Sequence, residues 1–592
     1  MSDVANAQME MFATGASDVT RSARDGSSDD RASHLVGALH ERALERAGDR
    51  KRGGSYYTPP DVVERLLDLC LEPILAERRK QGAGAVAALR VLDPACGSGN
   101  FLVAVAARLQ RELEDLGVVS RDAARAAFGE CVAGIDVDAA AVELCRTSLA
   151  HASGRAVSDE ALKDQILCAN ALAIGDAGDT LFPSVTLSWQ QVFEFTSCSD
   201  GYDLVVGNPP FLSQLAAETV RSDADAARVR SRFGDAVAGL TDTAVLFLLL
   251  GAAVVEEQRG TVCLIQPISF LSARDAAPAR DRLLDTCGLR SMWICEEKVF
   301  DASVRVCAPV LVRGQSFDEI TLHRNRHFEV VGSTTGSTFL SGTWSALLAT
   351  SKGVPERQAA TAGTVADLAT ATADFRDQYY GLRGSVVDLR EADDASFPPL
   401  VTSGLIDPAA VMWGERSTKF DKTTYECPRV EIAKLDERLQ KWARERLRPK
   451  LLLATQTKVL EVAVDDRGRF LPSVPVISIT VQDPALLWML GALLTSPPVT
   501  LIAARRHLGA ALSSEALKLS ASDVLSLPLP ADESTWSVAA KHFQRGCESR
   551  DASSRQTELM ATAELMCSAY GMPNDDELMK WWSARLPRPR TA

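Results

Sequence analysis

The sequence predicts an α/β protein built on a doubly wound mixed sheet, followed by an α+β region and a helical end. Three observations lead there. A short, mostly apolar stretch at 89–92 is followed by Asp93-Pro94-Ala95-Cys96-Gly97-Ser98-Gly99-Asn100-Phe101 and then a helical pattern over 102–116. A second strand-like stretch, 202–207, ends in Asn208-Pro209-Pro210-Phe211. Strand-like and helix-like patterns alternate up to residue 312 and then weaken, giving way to scattered short apolar runs.

Strand, tight glycine turn and helix form a nucleotide-binding βα unit. Gly97 and Gly99 lack a Cβ, so the backbone can turn sharply and approach a ligand closely. The first amides of the following helix then point at that ligand. In the second motif, two prolines directly after a strand fix φ and deny a helix start. Asn208 and Phe211 are therefore held at the carboxyl end of their strand, the edge where open α/β sheets bind ligands.

These two motifs, in this order, resemble the signatures of the gamma-class, TaqI-like DNA adenine-N6 methyltransferases that use S-adenosylmethionine. The resemblance covers roughly 53–312 well and the remainder loosely. It implies a Rossmann-like methyltransferase domain at 34–325, a linker at 326–370, a target-recognition domain at 371–530 and a helical tail at 531–592. Residues 1–33, rich in Ser, Asp, Ala and Arg, are expected to be disordered. They are too few for the nuclease domain that some relatives carry there.

Taken in order, 34–47 has apolar residues at helical spacing. The stretch 53–60 ends in Thr58-Pro59-Pro60, a helix start signal, and one helix is expected over 61–77. The resemblance implies that Thr58 contacts the methionine end of the cofactor; without the neighbouring motifs it reads equally as a helix entry. The cofactor set that the resemblance implies is Thr58, Asp93, Ala95, Gly97, Gly99, Asp136 and Asn170. Helices are expected over 102–114 and 120–128. Asp136 ends the second strand, where a carboxylate can accept both ribose hydroxyl protons. Asp138 reads as a surface acid at a helix start. Many relatives carry Asp where this chain has Asn170; its amide oxygen can still accept from an adenine amine, without charge assistance.

Further along, 240–257 reads as a strongly apolar helix, 260–267 as a strand, 276–287 as a helix and 292–312 as two strands around Phe300. The resemblance gives Phe300 to the far side of the target base; core packing is the other reading. From 314 to 373 Ser, Thr, Gly and Ala accumulate, and the domain boundary is expected there. Basic residues then gather between Arg416 and Lys450, with Arg505 and Arg506 beyond. They read either as a solvated helical face or as a surface that tracks phosphates through Lys441, Arg444, Arg448 and Arg505.

Composition narrows the function classes. The 592 residues exceed one ordinary core. A net charge of −14 argues against indiscriminate coating of nucleic acid, though not against a local basic cleft. The 13 cysteines stand singly, without a Cys-x-x-Cys pair, and neither a disulfide framework nor a metal site is expected. No stretch has the length and apolarity of a membrane span, and a reducing, cytoplasmic location is expected.

In the chemistry implied, Asn208 and the Pro209 carbonyl accept the hydrogens of an adenine amine, Pro210 stiffens the loop, and Phe211 stacks on a flipped base. Asn-Pro-Pro also occurs in glutamine and RNA methyltransferases. The Phe after the prolines and a large C-terminal region able to read double-stranded DNA favour DNA adenine. No nuclease signature is evident, so a role in restriction or phage defence implies separate nuclease or helicase subunits. The competing reading is a DNA- or cofactor-sensing subunit of a defence complex with little turnover.

Overall fold

The computed structural model describes residues 58–175, 187–211, 223–300, 304–335, 343–374, 376–509 and 516–587. The expected disorder at 1–33 and helix at 34–47 lie outside these. The chain divides into two compact units, Met1–Gly342 and Thr343–Ala592.

The first unit is organised by a 10-stranded mixed sheet. Its strands are β1 (Val91–Asp93), β2 (Val132–Asp136), β3 (Ile166–Cys168), β4 (Leu204–Gly207), β5 (Thr261–Leu264), β6 (Gln266–Pro267), β7 (Cys287–Cys295), β8 (Val306–Arg313), β9 (Glu319–Arg324) and β10 (Glu329–Thr335). The order across the sheet is β10-β9-β7-β8-β5-β4-β1-β2-β3, with β6 paired to β8. From β3 to β5 all neighbours run parallel. The chain winds outward through β1, β2 and β3, then returns to lay β4 on the other side of β1. That reversal opens a crevice at the carboxyl ends of β1 and β4, where such folds bind their ligands.

Local sequence explains these elements. β1 and β4 are buried on both faces and are mostly apolar, with only Asp93 charged at the end of β1, as central parallel strands require. Helix Asn100–Asp115 buries Phe101, Leu102, Val105 and Leu109 against the sheet. The approach is close at Gly134, where a Cβ would meet Leu102 Cδ1 at 2.8 Å and Cys96 Sγ at 2.9 Å. Helix Thr243–Val254 is buried along almost its whole length. The helix expected over 61–77 is two, Pro60–Cys70 and Glu72–Arg79, because Pro73 opens the second and cannot donate to the first. No single helix among the described residues is long and apolar enough to cross a membrane.

Where it is described, the expected linker at 326–370 is instead folded. β10 closes the edge of the large sheet, so that sheet runs past residue 325. Helix Ser345–Ser351 follows, strand Thr361–Thr364 pairs with Pro528–Pro530, and Ala369–Ala373 pairs with Ile477–Val481. The helical end is no free tail either. Trp536 Nε1 donates to the Met489 carbonyl at 2.7 Å, and the Phe543 ring occupies the space a side chain at Gly491 would need. Arg357 pairs with Asp575 at 2.6 Å.

Candidate active site

The turn after β1 has the left-handed backbone its glycines allow, φ +51° at Gly97 and +91° at Gly99. A Cβ at Gly99 would meet Cys145 Sγ at 2.7 Å, so this turn lies flush on the helix Ala139–Ala152. A Cβ at Gly97 would meet nothing within 4 Å: open space lies beside that peptide. Asp136, at the end of β2, closes one side. Its carboxylate accepts from Gly97 N at 2.8 Å and from Asp138 N at 2.9 Å. Burial raises its pKa against these two donors. Asp138 is a helix cap, accepting from Ala140 N, as its position in the sequence suggested.

Asp93 is buried at the end of β1 and accepts from Ala95 N at 3.1 Å. Desolvation pushes its pKa up to about 8, with the Asp136 carboxylate adding to the shift. Its carboxylate fills the space that a side chain at Gly207 would take. The last residue of β4 must therefore be glycine, a requirement not drawn from the sequence, where its only signal was a glycine closing an apolar strand. Asn170 caps a short turn, its Oδ1 accepting from Leu172 N at 3.1 Å.

Asn208 follows β4 directly. Its amide nitrogen donates to the Thr58 hydroxyl oxygen at 3.1 Å, and Thr58 is buried. The contact holds the Asn208 side chain against Thr58. Thr58 thus meets a residue that the sequence assigned to a different role.

Phe211 is half-buried against the core. The Phe300 ring lies 6.2 Å from it, centroid to centroid, edge-on at 64°. Phe300 is itself 3% exposed, packed in the core beside Val299 and Val306. An edge-on pair leaves no flat slot between the rings, so Phe300 is a wall behind Phe211 and not a second face for a base. Phe300 thus sits in the core, with its ring edge-on to Phe211.

The second unit sorts the basic residues. Arg416 pairs with Asp407 at 2.6 Å, Arg429 with Asp394 at 2.6 Å, Arg446 with Asp374 at 2.8 Å and Lys450 with Asp465. Arg505, expected on a phosphate-tracking surface, is mostly buried; it pairs with Glu356 at 3.2 Å and reaches the Pro355 carbonyl at 3.5 Å. Lys441 and Arg444, on helix Glu437–Arg446, and Arg448 just beyond are exposed, with no carboxylate at ion-pair distance among the described residues.

Residues 130–300 match the model of the Eco57I restriction-modification methylase family. Sequence comparison with curated proteins gave no match. Among solved structures, the type IIL restriction-modification enzyme MmeI in complex with DNA aligns at a TM-score of 0.55 and 14% identity, over 92% of this chain and 77% of that one. The DrdV–DNA complex aligns at 0.49 and 13%, over 87% and 60%. The type I EcoKI M protein aligns at 0.32 and 16%, over 46% and 48%. The MmeI likeness establishes the fold, and the matched segment spans β2 through β7 and holds Asn208 to Phe211.

Proposed function

We infer that this chain, a methyltransferase of the restriction-modification type with S-adenosylmethionine as its cofactor, methylates the exocyclic amine of adenine in duplex DNA. The observation that carries the reading is the Thr58–Asn208 hydrogen bond beside the Asp93–Gly99 turn. It holds the Asn208 amide at the carboxyl end of β4, where the proposed chemistry needs it.

The residues around the turn suit the cofactor. Open space beside Gly97 and a half-buried acceptor at Asp136 match a ribose with two hydroxyl donors. Asp93, Ala95, Gly99 and Asn170 complete the proposed cradle, and Thr58 positions Asn208. Bound there, S-adenosylmethionine supplies a methyl group already activated by the sulfonium charge.

The chain's own residues prepare the nucleophile. An adenine amine is a poor one because its lone pair is delocalised into the ring. Asn208 Oδ1 and the Pro209 carbonyl each accept one amine hydrogen, which favours a tetrahedral nitrogen with a localised pair. Such preorganised contacts are worth a few kcal/mol each (about 2.7–4 for one oxyanion-hole donor). Pro210 holds the loop stiffly. Phe211 takes the face of a base that has left the stack, a contact worth about 1–3 kcal/mol. Lys441, Arg444 and Arg448 hold the DNA backbone. In the cell, this activity protects host DNA beside a nuclease or helicase carried on another chain.

Base-resolved detection of modified adenines in DNA from cells expressing the protein tests the reading. N6-methyladenine confined to one sequence motif, and absent with Asn208→Ala, is expected. Cofactor binding with no transfer to DNA would instead make the chain a sensing subunit.

A further inference from the structure

We propose that the hairpin of the second unit formed by Thr418–Phe420 and Thr423–Tyr425 reads base edges, with Lys419 and Lys422 donating to a guanine in the major groove. The proposal rests on the reading of the chain as a duplex-DNA methyltransferase and names how the duplex would be recognised.

The two strands are joined by Asp421 and Lys422 alone, at φ +45° and +67°. Two successive left-handed residues form the tight turn that suits the strand twist, and Asn-Gly is the sequence that makes it without strain. A lysine in that backbone region is unfavourable on conformational grounds. Its presence calls for a reason that a glycine could not serve.

The hairpin is anchored from beneath. Thr418 and Phe420 face inward and are buried, and the Phe420 ring lies 4.8 Å from Tyr379. The Tyr379 hydroxyl accepts from Asp421 N at 3.1 Å. Arg383 pairs with the Asp421 carboxylate at 2.8 Å and lies 4.5 Å from the Tyr380 ring centroid. The turn acid is thereby consumed by the scaffold, and the turn lysine is left outside.

Lys419 and Thr424 are cross-strand partners on the outward face, and with Lys422 and Thr423 they are exposed. Among the described residues neither lysine has an ion-pair partner, whereas Arg383, Arg416, Arg429, Lys434, Arg446 and Lys450 all have one. A two-stranded ribbon fits the major groove of B-form DNA. A lysine carries three donors and no acceptor. The base edge that answers it is guanine, with acceptors at O6 and N7.

The test uses the full chain carrying Lys422→Gly, which relieves the left-handed lysine and keeps the fold. The methylated motif of the wild type is mapped first, and binding is then measured on a duplex carrying that motif and on one lacking it. The expected result is an unchanged or higher melting temperature, a ratio of motif to non-motif binding reduced about tenfold or more, and a guanine position of the motif that becomes degenerate. An unchanged motif and ratio would make Lys422 a turn residue only and overturn the proposal. Equal losses on both duplexes would overturn it too, since phosphate contacts weaken every sequence alike. A wild type that methylates adenine while the variant keeps its specificity defeats the hairpin alone. A wild type that leaves adenine unmodified defeats the parent reading, and the hairpin with it.

Discussion

The Asn208 amide nitrogen donates to the Thr58 hydroxyl oxygen at 3.1 Å, joining two residues 150 positions apart. One follows β4; the other precedes the helix Pro60–Cys70. Thr58→Val keeps the shape and removes the acceptor. Turnover is expected to fall about tenfold, corresponding to one hydrogen bond of about 1 kcal/mol or slightly more, while S-adenosylmethionine binding by calorimetry changes little. Asn208→Ala is expected to cost about 10²–10³ in kcat. Loss of cofactor affinity equal to the loss of turnover in Thr58→Val would return Thr58 to the cofactor.

Gly207→Ala places a methyl group where the Asp93 carboxylate lies. Overpacking of this kind costs about 1–3 kcal/mol. A lower melting temperature and weaker cofactor binding are expected together. Adding Asp93→Ala should recover stability but not binding. A double variant no more stable than Gly207→Ala would show that the clash is relieved elsewhere.

Asp93 also predicts a pH dependence. Burial raises its pKa from 3.8 to about 8, so the native state holds this proton more tightly than the unfolded chain does. The stabilising contribution is complete below about pH 4 and is lost as the pH rises toward 8. Asp93→Asn resembles the protonated form. Its unfolding free energy in urea should decline less across that window than that of the wild type; an identical decline would mean that Asp93 is ionised throughout.

The basic residues are expected to separate into two classes. Alanine at Lys441, Arg444 and Arg448 should lower the salt dependence of DNA binding, by about 0.9 in slope for each phosphate contact removed, with the melting temperature unchanged. Arg505→Ala should do the reverse. It removes the partner of Glu356 and of the Pro355 carbonyl, and about 1 kcal/mol or more of stability with it. A salt slope that responds to Arg505 would put it back on the DNA surface.

Phe211→Ala should weaken binding to a normal duplex, and placing the target adenine opposite an abasic site should restore part of it, since less unstacking is then required. Equal losses on both duplexes would assign Phe211 to packing against Phe300.

The central strands and the cofactor turn were legible because their signals are local. β1 and β4 are short, mostly apolar strands, and Gly97 and Gly99 mark the turn by residue type alone. β10 was not legible: it lies at the sheet edge, mostly exposed, and reads as the Thr, Ser and Gly of a linker. Thr361–Thr364 and Ala369–Ala373 were lost for the same reason, being short and poor in large apolar residues. Arg505 could not be placed from sequence, because the carboxylate that pairs with it stands at Glu356. Nor could the partner of Asn208, for the same want of proximity along the chain. Asp138, by contrast, was readable, since a cap and its helix are neighbours.

The order of strands in the sheet has a consequence for how the protein is made. β1, β2 and β3 are consecutive both in the chain and in the sheet, and they carry Asp93 and Asp136 with the turn at Gly97. β4, with Asn208 behind it, is synthesised afterwards and must add to the free side of β1. A nascent chain therefore exposes the Gly97 turn and Asp136 before the strand that precedes Asn208 has left the ribosome. Capture of a small molecule can precede catalytic competence, and a bound nucleoside would stabilise the three-strand intermediate onto which β4 docks.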